Sequence, residues 1–79
     1  MGLVKTDMRT LDLHGFTHER AELEAEDFVL LQSRDEFFEC KIITGRSDKM
    51  ISRITTMLDR QNFSWYIPSW NLGEIIVSY

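Results

Sequence analysis

Asp12 and His14 stand two residues apart in Thr10-Leu11-Asp12-Leu13-His14-Gly15, where apolar and polar residues alternate. That period belongs to a strand with one buried face, so Leu11 and Leu13 point into a core while Asp12 and His14 project together from the other side. A carboxylate beside an imidazole suits proton transfer near neutral pH, with the acid orienting the ring or holding a divalent metal. The same pair could instead hydrogen-bond to loop backbone and fix the turn at Gly15. On the residues alone, that structural role is the stronger reading.

A second segment complements the first. Ile42-Ile43-Thr44-Gly45-Arg46-Ser47 reads as a strand end running straight into a helix. Free backbone N–H groups at a helix start, beside a glycine that allows close approach, make an anion site. Arg46 and Lys49 would add charge-assisted contacts to a phosphate, or be plain surface charge beside a loop. His18 follows a helix cap and reads as solvated. Trp65, Tyr66 and Trp70 could stack on bases, or serve core and hairpin packing.

The elements that position these residues follow from periodicity. The first strand covers Thr10 to His14. Thr17 is a natural N-cap, Glu19 suits the helix dipole, and a helix runs from His18 to Gln32. Its apolar face is Ala21, Ala25, Phe28, Val29 and Leu31. Glu22, Glu24, Glu26 and Asp27 make the outer side acidic, and Leu23 and Leu30 fall there too. A second strand, Glu39 to Thr44, leads through Ser47 as N-cap into a helix from Asp48 to Gln61. Met50, Ile51, Ile54, Met57 and Leu58 form its apolar stripe. Phe63 to Ile67 suits a third strand ending at Pro68, Asn71-Leu72-Gly73 supplies a turn, and Glu74 to Ser78 is a fourth strand.

The order β-α-β-α-β-β predicts two parallel crossovers and a final hairpin. The expected fold is a two-layer α/β sandwich: a four-stranded mixed sheet with two helices on one face. Asp12, His14 and the Thr44–Ser47 turn then share the rim where parallel strands end, the usual place for a ligand.

Composition sets the outer limits. Seventy-nine residues, 43% hydrophobic and 28% charged, make one small folded domain. A lone cysteine, Cys40, forms no intramolecular disulfide and, with two histidines, no Cys/His zinc site; the compartment expected is the cytoplasm. No run is long enough to span a membrane, so no membrane association is expected through one. Met1-Gly2-Leu3-Val4-Lys5-Thr6 fits a loose N-myristoylation pattern, but residues 1–9 read better as an ordinary flexible start to a domain at 10–79. The net charge of −4 argues against bulk electrostatic coating of nucleic acid. Residues 1–40 carry four basic and ten acidic side chains, whereas residues 41–79 carry five basic and three acidic, so a polyanion would approach through the second half.

Leu11-Asp12-Leu13-His14-Gly15, followed by a threonine and an acidic helix, resembles the opening of the Smr (small MutS-related) domain. Ile43-Thr44-Gly45-Arg46-Ser47 is similar to that family's second motif, a strand ending in (His/Thr)-Gly-x-Gly. Asn71-Leu72-Gly73 and the β-rich end resemble its third. The resemblance implies a fold like the C-terminal domain of bacterial translation initiation factor three. It also implies DNA nicking or RNA endonucleolytic cleavage, or nucleic-acid binding alone. The family's functional positions fall on Asp12, His14, Thr44 and Gly45. Two departures stand out: Ser47 replaces the last motif glycine, and the domain is acidic without the basic extensions often attached to relatives.

Three readings follow. One is a stand-alone endonuclease with Asp12 and His14 catalytic, Thr44, Gly45, Arg46, Ser47 and Lys49 on the substrate, and a divalent metal (Mg²⁺ or Mn²⁺) that Asp12 could hold. The second is a DNA- or RNA-binding module using the same rim. The third is a protein-interaction module working through the acidic first helix. Oligomeric state is left open by the sequence.

Overall fold

The computed structural model describes residues 8–79, with β1 (Arg9–Asp12), α1 (His18–Gln32), β2 (Glu39–Ile43), α2 (Asp48–Arg60), β3 (Ser64–Tyr66) and β4 (Glu74–Ser78). The expected flexible start and the acylation pattern fall almost wholly on residues 1–7, outside the described residues.

Local chemistry sets the boundaries. The Thr17 hydroxyl accepts from the Arg20 backbone N–H at 3.1 Å and the Ser47 hydroxyl from that of Met50 at 3.2 Å, so both helices start at the expected caps. At the exit of α2, Asn62 takes a left-handed conformation (φ 66°). The Phe63 N–H then returns to the Leu58 carbonyl and the Asn62 N–H to that of Asp59, each at 3.0 Å. This is a Schellman closure with asparagine where glycine is usual. It consumes Phe63, which explains why β3 is shorter than the expected Phe63–Ile67. At the other end Ile67 precedes Pro68, which has no N–H to offer a ladder.

The sheet order is β1-β2-β4-β3, with β1 parallel to β2 and β4 antiparallel to both β2 and β3. The final strand therefore inserts between β2 and β3, which run the same way without touching. This is the expected mixed sheet.

Register sorts the side chains into two faces. Cys40 pairs with Val77 and Ile42 with Ile75, all fully buried, and they join Leu13 and the buried residues of both helices in one cluster. Lys41–Ile76 and Ile43–Glu74 belong to the opposite face, and Ile76, although buried, lies outside that cluster. Both helices thus cover one side of the sheet. Phe38 adds edge-on aromatic contacts to Phe63 and Tyr79, with ring centres 5.7 and 4.7 Å apart. Burial pushes the Cys40 thiol up to about 12, so it packs as a small hydrophobe.

Helix α1 is rolled relative to expectation. Ala21, Ala25 and Val29 are buried, but Leu31 is 55% exposed and does not belong to the core face. Glu22 and Glu26 turn inward toward α2, not out to solvent. Glu22 pairs with Arg53 at 2.6 Å and Arg60 at 3.3 Å, and Glu26 accepts from Gln61. Leu23 and Leu30 are exposed, as their places on the wheel predict. The physical reason is that α1 packs on two neighbours, the sheet and α2, and small alanines let it sit close to both. A wheel centred on hydrophobicity alone cannot register the second.

The two guanidinium groups hold the Glu22 carboxyl below its ordinary value of 4.5. Its folded form thus binds a proton less readily than its unfolded form, so its contribution is present above that value and is lost as pH falls through the lower folded pKa. Partly exposed pairs of this kind contribute about 0–1 kcal/mol each. Urea denaturation should find Glu22→Gln less stable than wild type by about 1 kcal/mol at neutral pH. The two should converge once acid has protonated Glu22, and a gap independent of pH would show that the ion pairs are not its source.

Candidate functional site

The Asp12 carboxylate ends β1. Its Oδ1 accepts the backbone N–H of His14 at 3.0 Å and contacts the imidazole Nδ1 at 2.8 Å. The first bond closes an Asx-type turn that lifts the chain off the ladder, so the strand stops at Asp12 and not at the expected His14. Gly15, at φ 85°, completes the reversal into α1. Leu13 is buried, and its N–H still reaches the Ile43 carbonyl at 3.0 Å, which anchors the turn to β2. Asp12 and His14 do share one face, and it is the face of the sheet that the helices leave open.

The two hydrogen bonds from His14 hold the Asp12 carboxyl below its usual value. An ionised carboxylate only accepts, so the proton of a neutral His14 ring must sit on Nδ1. The Nε2 lone pair is then free. The His14 side chain is 77% exposed and that of Asp12 56%, so this nitrogen is open to solvent and any incoming ligand. Asp12 thus does both things the sequence left open: it fixes the turn and it orients the ring.

The second motif is held from an unexpected side. The Gly73 carbonyl, just before β4, accepts the N–H groups of Thr44 at 2.8 Å and Gly45 at 3.1 Å, and the Thr44 hydroxyl at 3.2 Å. That hydroxyl also reaches the Gly45 carbonyl at 2.8 Å, so it is committed to the turn and not poised for a ligand. Gly45 has φ 71°, which explains the glycine. Gly73 is there for space: a β-carbon would lie 3.2 Å from backbone atoms of Gly45. Its N–H in turn bonds the Asn71 side chain at 2.9 Å. The role of Gly73 was visible in the sequence only as a turn glycine before a β-rich end.

Ser47 does not need to be glycine, since its φ is −82°. Its hydroxyl and carbonyl take the N–H groups of Met50 and Ile51, leaving those of Asp48 and Lys49 to face an anion. Asp48 itself places a carboxylate there. Arg46 and Lys49 do not converge: Arg46 lines a hollow of about 330 Å³ with Ile67 and Leu72, whereas Lys49 lines the groove between the helices. Of the aromatics, Trp65 packs against the core and bonds Asp59 at 2.8 Å, while Tyr66 and Trp70 are exposed.

Among the described residues no three His, Cys, Asp or Glu side chains gather where an ion could be held, and Oδ1 of Asp12 already accepts two bonds. Nor is any helix among them long and apolar enough to cross a membrane.

Replacing Gly73 by Ala should destabilise the domain by about 1–3 kcal/mol, because the new carbon must push the Gly45 backbone aside. Hydrogen exchange at the Thr44 and Gly45 amides should speed up at the same time. Protection at both amides unchanged from wild type would mean that the Gly73 carbonyl does not hold this turn.

Comparison with known families identifies the domain. The Smr domain matches residues 11–67 of the 79-residue chain, a span holding both Asp12–His14 and the Thr44–Ser47 turn. No significant match was found among curated proteins or among solved structures.

Proposed function

This chain belongs to the Smr domain family, and from that premise we propose that it acts on nucleic acid, with Asp12 and His14 cleaving a phosphodiester bond. The observation that carries the reading is the 2.8 Å contact between Asp12 Oδ1 and His14 Nδ1, which leaves Nε2 as the free base. Nε2 would take the proton from the attacking oxygen, a water or a ribose 2′-hydroxyl, as that oxygen bonds to phosphorus. Asp12 stabilises the imidazolium so formed. The P–O bond to the leaving oxygen then breaks, and the imidazolium returns the proton to that oxygen. The N–H groups of Asp48 and Lys49, with the Arg46 or Lys49 side chain, would bear the charge on the phosphoryl oxygens.

Binding without cleavage uses the same rim and is the weaker form of this reading. The protein-interaction reading has its own observation: Leu23 and Leu30 stand 56% and 44% exposed on α1 beside Glu24 and Asp27. Retention of a partner by wild type, and its loss in a Leu23→Ser/Leu30→Ser double variant, would favour it.

The deciding assay incubates the protein with single- and double-stranded RNA and DNA, in Mg²⁺, Mn²⁺ or chelator. Cleavage is expected to fall about 10²–10⁴-fold in His14→Ala and by a comparable factor in Asp12→Asn, whose amide no longer fixes the tautomer. Wild-type cutting rates in His14→Ala would remove the dyad from the mechanism.

A further inference from the structure

Helices α1 and α2 both run antiparallel to the strands they follow, so their N-termini meet at the rim that carries Asp12 and His14. A groove of about 670 Å³ runs between them. One wall is a single stripe of α2: Lys49, Ser52, Arg53, Thr56 and Arg60, spaced so that cations and hydroxyls share one helix face. From Lys49 to Arg60 the stripe measures roughly 16 Å at the rise of an α-helix.

Glu22 on the facing helix organises this wall. It engages Nε of Arg53 and Nη2 of Arg60, fixing both groups and leaving the other N–H donors of each guanidinium unspent. The groove thus carries three cations against Glu22, already paired, and Asp48 at the mouth. The carboxylates that make the chain acidic lie elsewhere: Glu19, Glu24, Asp27, Asp35, Glu36 and Glu39 do not line it. The net charge of −4 therefore says little about this surface.

We propose that the α1–α2 groove binds the sugar–phosphate backbone of a single nucleic-acid strand, with Lys49, Arg53 and Arg60 on phosphates and Ser52 and Thr56 donating hydroxyl hydrogen bonds. The proposal rests on the nucleic-acid reading above and adds where the strand lies. The track takes several nucleotides, since phosphates rise ~3.4 Å apiece even in a stacked strand. Helices in contact have axes ~8–10 Å apart, so the furrow over their seam is much narrower than a duplex and takes one strand in preference to it. The groove ends at His18, at the rim that also carries Asp12 and His14, which do not themselves line it.

The test is fluorescence anisotropy with a labelled, unstructured single-stranded oligonucleotide and its duplex, in chelator, over a salt series. Ser52→Glu/Thr56→Glu puts two carboxylates on exposed positions of the stripe and should weaken single-strand binding roughly tenfold or more, with the melting temperature unchanged. Arg60→Ala, at the end of the groove away from the rim, should flatten the logarithmic salt slope by ~0.7, one phosphate contact on a single strand. It serves as the test by itself if the double variant fails to fold. Should wild type bind and these variants bind equally with the same slope, the groove is wrong while the nucleic-acid reading survives. Wild type with no salt-dependent binding overturns both. Duplex bound more tightly than single strand, through the same residues, overturns the single-strand assignment.

Discussion

Ile42 and Ile75 face each other across β2 and β4, both fully buried, and that pairing decides where every other side chain of the sheet points. Strand side chains alternate with period two, so a slip of one residue would exchange the faces. Leu11 pairs with Ile42, which places Leu11 on the core side and Asp12 on the open side. The exposure of the candidate dyad is therefore a consequence of core packing on the neighbouring strands. In a chain this small the same few apolar side chains must both stabilise the fold and aim its polar residues.

The rim depends on a second tie, made through backbone alone. One carbonyl oxygen, that of Gly73, gathers Thr44 and Gly45 and joins the start of the last strand to the end of the second. Ser47, by contrast, keeps an ordinary negative φ and uses its hydroxyl as a helix cap. Substitution of the family's glycine at that position costs no backbone strain, although it spends the Met50 N–H on the protein itself. The turn is rigid because its polar groups bond one another, and what it offers outward is limited to the helix start and the flanking side chains.

Charge in this domain is sorted by helix. Glu22 is the one acidic residue of α1 that lines the cleft between the helices, where it bridges Arg53 and Arg60, while the cations of α2 gather along that cleft. An electrostatic argument from net charge averages these surfaces and loses the distinction. At physiological salt, fields between exposed charges fade over ~8 Å, so a ligand in the cleft responds to the local residues more than to the total.

Much of the fold was legible in the sequence because its signals are local. The cap hydroxyls of Thr17 and Ser47, the one-sided stripe of α2, and the alternation at Leu11–His14 each act within a few residues, and both helices start where those signals put them, while β1 stops two residues short of His14. The pairing of Asp12 with His14 was likewise set by strand period and by a turn that closes over two residues. Tertiary structure decided what depends on partners distant in sequence: the insertion of β4 between β2 and β3, the roll of α1 that brings Glu22 to Arg53 and turns Leu31 out, and the Gly73 carbonyl under the Thr44–Gly45 turn. It also separated Arg46 from Lys49, because residues three apart at a helix start flank different neighbours once the helix is packed. Local interactions fix the conformation of a segment, but which groups meet is set by the packing of segments, and no single segment carries that information.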